Sequence, residues 1–239
     1  SSGLHHRVGR DFTVNSSGAL YNAYPLNTFE FVGSNNSTLS YLSGTGYFHN
    51  IIVNKSTGYS LTQVGTTSCQ FDGNMTIEEG TYTLNGYYLG VFGDFNINSG
   101  GTMMMPPGSQ LVLSDLNSLN VNSGGYLNIS GTAGDMALIR SNVTGAYYNL
   151  NVYSGGTIAA DNCTFSRMNT NGIYIWSGAM VDVLHAFNGC TFSDGCPGGT
   201  LLKLNNNQVL TVRNVNFPAN TWTGASNVSK TLNQGHVYL

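Results

Sequence analysis

Residues 121–131 read VNSGGYLNISG, and variants of this phrase recur along the chain. In each, one apolar residue is followed by small polar residues and glycine, and then by a second apolar residue. Related phrases begin at Val14, Ile77, Ile97, Val152 and Ile175. Between residues 77 and 175 the phrases start at intervals of 20, 24, 31 and 23 residues. A loose repeat of this length predicts a solenoid, in which each repeat is one turn and extra residues form loops.

Short runs such as SLNVN and YLNIS connect the phrases, and in them apolar and polar residues alternate. That period of two is typical of a half-buried strand. Glycine accepts positive φ at low steric cost, and Ser and Asn favour tight turns. We therefore interpret each SGG as a corner at which the chain leaves one sheet and enters the next, anchored by an apolar residue on either side.

A second ladder follows from the motifs NCTF, GCTF and NVNF. Alternate residues of a strand face the same side, so the motifs predict two inward columns in successive turns. These columns are Cys163, Cys190 and Val215 in one, and Phe165, Phe192 and Phe217 in the other. A globular β-sandwich has a similar composition and turn density, but two ladders at one period favour the solenoid.

The stretch GNMTIEEGTYTLNGYYLGVFGDFNINSGGTMMM, followed by SLNVNSGGYLNISG, resembles the repeats of right-handed parallel β-helix proteins. The NCTFS and GCTFSDG stretches are similar to the pectate-lyase-like repeat, and the Asn/Gly/Ser-rich character resembles exported surface proteins of Bacteroidota and allied bacteria. The resemblance implies an all-β, right-handed parallel β-helix with an extracellular or bacterial cell-surface location. At a period of about 24 residues we expect about nine or ten turns.

The resemblance covers residues 48–217, which we predict to be the β-helix. Residues 1–47 are interpreted as an N-terminal arm and capping region, in which Tyr21, Tyr24, Phe29 and Phe31 would cover the first turn. Residues 218–239 are interpreted as a C-terminal cap or subunit-contact segment. An uncovered solenoid end exposes unpaired N–H and C=O groups and favours association between molecules.

The composition excludes several partners. Only 8% of residues are charged and the net charge is −3, so the chain lacks the basic stripe that nucleic acid binding needs. No apolar run approaches the roughly 18 residues of a membrane span, so we expect no membrane insertion. Neither a CxxC pair nor the nonapeptide calcium repeat is present, so no metal and no cofactor is predicted.

Enzymatic activity depends on whether acidic residues converge. Cleavage of polysaccharides needs clustered carboxylates or a positioned base. The candidate cluster contains Asp161 and Asp182, which are separated by about one turn, together with His185. Convergence of the three would favour a polysaccharide lyase or hydrolase, whereas scattering across different faces would favour a chain without a catalytic site. Because most acidic residues are isolated, we expect no enzymatic activity.

Contact candidates lie beside the predicted corners. Tyr126, Tyr153 and Trp176 are expected to point outward, where they would contact a glycan or another subunit, or form an isolated exposed ladder. Residues Met103, Met104 and Met105 precede two prolines, and this segment predicts either a protein contact or core filling under a loop.

The four cysteines are too few for a disulfide scaffold. Cys190 and Cys196 flank a short loop, so they would form a disulfide in an oxidising compartment or remain buried thiols.

Together these features predict a non-enzymatic extracellular structural or adhesive protein, such as a rigid stalk or a filament subunit. Its expected partners are other copies of itself or a surface glycan. The alternatives are a polysaccharide-active β-helix and a non-catalytic glycan-binding module.

Overall fold

The computed structural model describes residues 3–15, 27–43, 47–65, 68–219, 222–231 and 235–239. In these ranges the chain is all-β, and its parallel strands stack into a β-solenoid of about 9 turns. Within the same ranges no helix has the length and apolar character that crossing a membrane requires. The predicted fold class is therefore confirmed at the level of a parallel β-solenoid.

Three sheets run along the solenoid. The first contains β1 (His5–Val8), β3 (Thr28–Gly33), β6 (Asn50–Lys55), the first half of β9 (Met75–Thr83), β11 (Phe95–Ile97), β14 (Ser118–Val121), β17 (Tyr148–Val152), β20 (Met168–Ile175), β23 (Thr200–Leu204) and β25 (Ser226–Lys230). The second contains β2 (Phe12–Asn15), β4 (Ser37–Ser43), β7 (Ser60–Gly65), the second half of β9, β12 (Gly101–Met105), β15 (Tyr126–Ser130), β18 (Thr157–Asp161) and β21 (Met180–Asn188).

The third sheet contains β5 (Tyr47–Phe48), β8 (Cys69–Phe71), β10 (Tyr88–Val91), β13 (Gln110–Leu113), β16 (Ala137–Ser141), β19 (Cys163–Ser166) and β22 (Thr191–Ser193). A short pair is formed by β24 (Leu210–Thr211) and β26 (Val237–Tyr238). The pairings between these strands are parallel, as expected when each strand pairs with its counterpart one turn away.

The first residues of the repeated phrases form one buried column in the first sheet, as predicted. Neighbouring members are paired in register from turn to turn, and their side chains are fully buried. The column consists of Phe31, Val53, Ile77, Ile97, Val121, Val152, Ile175 and Leu204. Backbone pairing in such a column is continuous, and the apolar side chains fill the narrow interior.

The SGG phrase forms the corner between the first and second sheets. Gly124 has φ 76°, in the left-handed region that favours glycine. Gly125 N–H donates to Asn122 O at 2.9 Å, which closes the turn. A Cβ at Gly125 would lie 2.4 Å from Ile97 O of the preceding turn, so the corner backbone packs directly against its neighbour.

The phenylalanine column in the third sheet is also confirmed. The rings of Phe165 and Phe192 stack with centroids 5.3 Å apart, and those of Phe192 and Phe217 stack at the same distance. Val215 is half-buried against the same core. These stacks continue the interior past β22.

The ladders extend beyond both boundaries predicted for the β-helix. Strand β1 pairs with β3 in register, so pairing begins at residue 5 and not near residue 48. Strand β25 pairs with β23, which carries the first sheet past residue 217.

The aromatic cap predicted for the first turn lies only partly in the described chain. Tyr21, Tyr24 and most of the phrase that begins at Val14 lie outside the described residues. Phe31 is fully buried, and the half-buried Phe29 ring packs edge-on against Phe48 with centroids 4.9 Å apart. These two residues belong to the interior of the solenoid.

Candidate functional site

A bulge in β21 builds a cluster of polar side chains on the second sheet. Val181 pairs with Ile158 and Ala186 pairs with Ala160, so residues 182–185 stand opposite a single residue of β18. The extra residues project from the sheet, and the Leu184 side chain is 76% exposed. This insertion brings His185 next to the end of β18.

Asp161, at that strand end, holds His185. His185 Nδ1 is hydrogen bonded to Asp161 Oδ2, and Asn188 Nδ2 donates to Asp161 Oδ1 at 3.1 Å. Asn188 Nδ2 also lies within hydrogen-bond distance, 3.0 Å, of Leu184 O. The hydrogen bond from Asp161 and the negative charges of Asp161 and Asp182 outweigh desolvation and raise the pKa of His185.

Asp182 connects this pair to Tyr126. Its Oδ1 accepts a hydrogen bond from Leu184 N at 2.9 Å, which shapes the bulge. Burial, followed by the charge and hydrogen bond of Asp182, raises the pKa of the Tyr126 phenol. The structure therefore brings Asp161, Asp182 and His185 together and adds Tyr126 and Asn188. We call these five residues the His185 cluster.

The chemistry of the His185 cluster is that of hydrogen-bond donors held by carboxylates. A histidine whose pKa is raised carries its proton further toward neutral pH, which suits an acid better than a base. Among the described residues no group of three His, Cys, Asp or Glu side chains is arranged to hold a metal ion. A cavity of about 270 Å³ beside the cluster is lined by Val183, Leu184, Asn188 and Arg213, among others.

The predicted aromatic contact is a stack. Tyr153 and Trp176 are each 37% exposed, and their rings lie 5.7 Å apart at an angle of 27°. The Trp176 ring also stacks on Tyr174 at 4.1 Å, and Lys203 Nζ lies 4.6 Å from the centre of the Tyr174 ring. The rings face one another from turn to turn, and so they are not the coplanar, side-by-side pair that a sugar-stacking surface requires.

The methionine segment is a strand. Met103 and Met105 are fully buried and Met104 is half-buried on the outer side of β12. A protein contact through Met103 or Met105 is therefore wrong, because strict alternation places both in the core. Core filling, the other interpretation of this segment, describes these two side chains.

The cysteines are free thiols in the structure, including Cys190 and Cys196. Cys190 Sγ faces Cys163 Sγ of the preceding turn at 2.9 Å. The predicted loop-closing pair is therefore not formed. Burial raises the pKa of the Cys163 thiol, and the neighbouring Cys190 raises it further.

An asparagine ladder on the outer side of the first sheet was not predicted. Asn120 Nδ2 donates to Asn96 Oδ1 at 3.0 Å, and Asn151 Nδ2 donates to Asn120 Oδ1 at 3.1 Å. Trp176 Nε1 continues the ladder by donating to Asn151 Oδ1 at 3.4 Å. The signal was present in the sequence, because each asparagine directly precedes the apolar residue that opens a phrase.

Comparisons with known proteins add little to this geometry. No family model and no curated protein matches the chain. A solved structure of a TibA fragment, hyper-glycosylated by TibC, matches at 12% identity and covers 99% of this chain and 94% of that chain. Its TM-score is 0.22, and a likeness at that level supports no conclusion about fold or activity.

Proposed function

We propose that the chain is a non-enzymatic extracellular structural or adhesive protein, a rigid β-solenoid stalk or filament subunit at a bacterial surface. The observation that carries this proposal is the unbroken column from Phe31 to Leu204, in which each turn pairs in register with the next. Strand spacing of about 4.8 Å makes about 9 turns a rod roughly 45 Å long.

The outer surface supports the same proposal. Side-chain amides bridge successive turns through Asn96, Asn120 and Asn151, which ties the turns together outside the core as well as within it. With 8% charged residues, the surface depends on uncharged polar groups and changes little with salt. Both properties suit a stiff spacer or an adhesive arm.

Electron microscopy and bead adhesion test this proposal together. Negatively stained chain should appear as rods that associate end to end or side by side as concentration rises. Beads coated with the folded chain should cluster or attach to glycan-coated surfaces, whereas beads coated with heat-unfolded chain should not. Monodisperse monomers at every concentration, combined with no bead attachment, would contradict it.

A polysaccharide-active enzyme is the second candidate function, and the His185 cluster favours it. Asp161 and Asp182 approach the same imidazole, as the sequence-based criterion for an enzyme required. The test is release of reducing ends or unsaturated products from a panel of neutral and acidic polysaccharides. Product formation that disappears in both Asp161→Asn and His185→Gln, with unchanged thermal stability, would replace the non-enzymatic proposal.

A further inference from the structure

A cleft separate from the His185 cluster lies where the third sheet turns toward the first. It has a volume of about 540 Å³. Its lining combines a guanidinium, a carboxylate, two aromatic rings and threonine hydroxyls: Arg167, Asp194, Tyr147, Trp222, Thr144 and Thr223. We call it the Trp222 cleft. Mixed linings of this kind, concave and with few polar groups, are typical of small-ligand sites.

The charged pair is placed by the register of the third sheet. Ser166 pairs with Ser193, so the next residues, Arg167 and Asp194, occupy equivalent corners of successive turns. Both adopt positive φ, 64° and 52°, which is uncommon for side chains other than glycine and asparagine. The two opposite charges are therefore presented at one point of the surface by a strained corner.

Each charged group is oriented by neutral neighbours. Arg167 donates to Ser141 O at 3.3 Å and to the Thr144 hydroxyl at 3.4 Å. Asp194 Oδ2 accepts from the hydroxyls of Ser166 and Ser193 at 3.0 and 2.9 Å. These contacts hold both side chains at the cleft, and a carboxylate and a guanidinium retain further lone pairs and N–H groups for a ligand.

The indole of Trp222 is fixed by two glycines. A Cβ at Gly195 would come within 2.9 Å of the ring, and a Cβ at Gly224 would lie inside it at 1.8 Å. The segment is also tied to the preceding turn, because Gly198 N donates to Thr223 O at 2.8 Å. The ring is thus a pre-placed wall, which lowers the entropy cost of binding against it.

The lining points to an uncharged polyhydroxylated ring. One guanidinium and one carboxylate cancel in formal charge, so the cleft does not favour an anion or a cation. A pyranose offers an apolar C–H face for Trp222 or Tyr147 and an edge of hydroxyls that both donate and accept. We propose that the Trp222 cleft binds a hexopyranose unit of a neutral glycan. This assignment deepens the adhesive role and rests on that proposed function.

Tryptophan fluorescence tests the assignment directly. The chain has 2 tryptophans, so Trp176→Phe leaves Trp222 as the sole indole. In that full-length background, methyl glucoside, methyl galactoside, methyl mannoside and N-acetylglucosamine are titrated, with galacturonate as the charged arm. We expect a saturable change in Trp222 emission with at least one neutral pyranoside. Arg167→Gln and Asp194→Asn should each weaken binding about tenfold or more, since each removes a charge-assisted hydrogen bond.

The controls separate this site from the others. Asp161→Asn, in the His185 cluster, should bind as the parent does, and circular dichroism should show that every variant is folded. No saturable change with any neutral pyranoside overturns the assignment, even if coated beads still adhere, which keeps failure of the cleft distinct from failure of the adhesive role. Tighter binding of galacturonate, or neutral binding that survives both cleft substitutions, also overturns it.

Discussion

Replacing Gly125 by alanine tests whether the corners are packed as tightly as the sheets. The new Cβ would lie 2.4 Å from Ile97 O and 3.1 Å from Asn122 O, whereas ordinary contact begins at 3.4 Å. Backbone must therefore move by about 1 Å, a sizeable part of the roughly 4.8 Å spacing between turns. Overpacking of this kind costs about 1–3 kcal/mol. For a chain of this size that predicts a fall in Tm of about 2 to 12 °C.

Three further alanine variants separate the sources of the cost. Gly134 has open space and no positive φ, so Gly134→Ala should change stability by less than about 0.5 kcal/mol. Gly145 has equally open space but φ +84°, so its variant measures backbone strain alone, about 1–2 kcal/mol. Gly124 combines φ +76° with a Cβ position 2.6 Å from Ser99 Oγ, a side chain that can rotate away.

The assay is thermal unfolding followed by circular dichroism, with urea unfolding as a second measure. Gly125→Ala should unfold below Gly134→Ala but keep the same folded spectrum, because Ala179 occupies the equivalent place two turns further along and is accommodated there. If Gly125→Ala and Gly134→Ala were equally stable, the corner backbone would not be in contact with the preceding turn. The role assigned to the second glycine of the phrase would then be refuted.

Three other predictions concern side chains. The pKa of His185 is raised above its ordinary 6.5 by the Asp161 hydrogen bond, so this contribution is complete below that pH and is lost as pH rises through the folded pKa. The urea midpoint should therefore fall from about pH 6 upward more steeply than in His185→Gln, and parallel curves would contradict the contact. Tyr82→Phe removes the buried hydroxyl that donates to Gln63 Oε1 at 2.8 Å, and urea unfolding should show a loss of about 1–3 kcal/mol; no loss would mean that the amide finds another donor. Phe192→Ala removes the middle ring of the phenylalanine column and should cost about 3–5 kcal/mol in the same assay, while a cost below 1 kcal/mol would show that the column is loosely packed.

The columns and corners were predictable from the sequence because they repeat. An apolar residue that must stack on its counterpart one turn away recurs at the same place in every phrase, and so does the glycine that must take positive φ. The pattern reveals its own register from Ile77 to Ile175. Strands β1 to β4 lack a full phrase, and for that reason the sequence placed the start of the solenoid too late.

Buried polar groups were not predictable in the same way. Lys55 is fully buried and its ammonium donates to Val32 O at 2.9 Å, while Gln63 is buried and bonded to Tyr82. Strand alternation gives the side on which a residue lies. It does not show that a carbonyl one turn away is placed to satisfy a charged or amide group there, since that depends on the register of a neighbouring turn.

The candidate sites occur where the repeat is longest, and the reason is physical. A corner packed against its neighbour has no room for side chains that reach a ligand, so functional groups need inserted residues. Val121 and Val152 are paired neighbours although 31 residues separate them, and this insertion contains Thr144 and Tyr147 of the Trp222 cleft. Ile175 and Leu204 are paired across 29 residues, and this insertion contains the β21 bulge and Asp194. Intervals that exceed the shortest repeat therefore mark the surface to search, whereas the chemistry of each insertion depends on which turns fold against it.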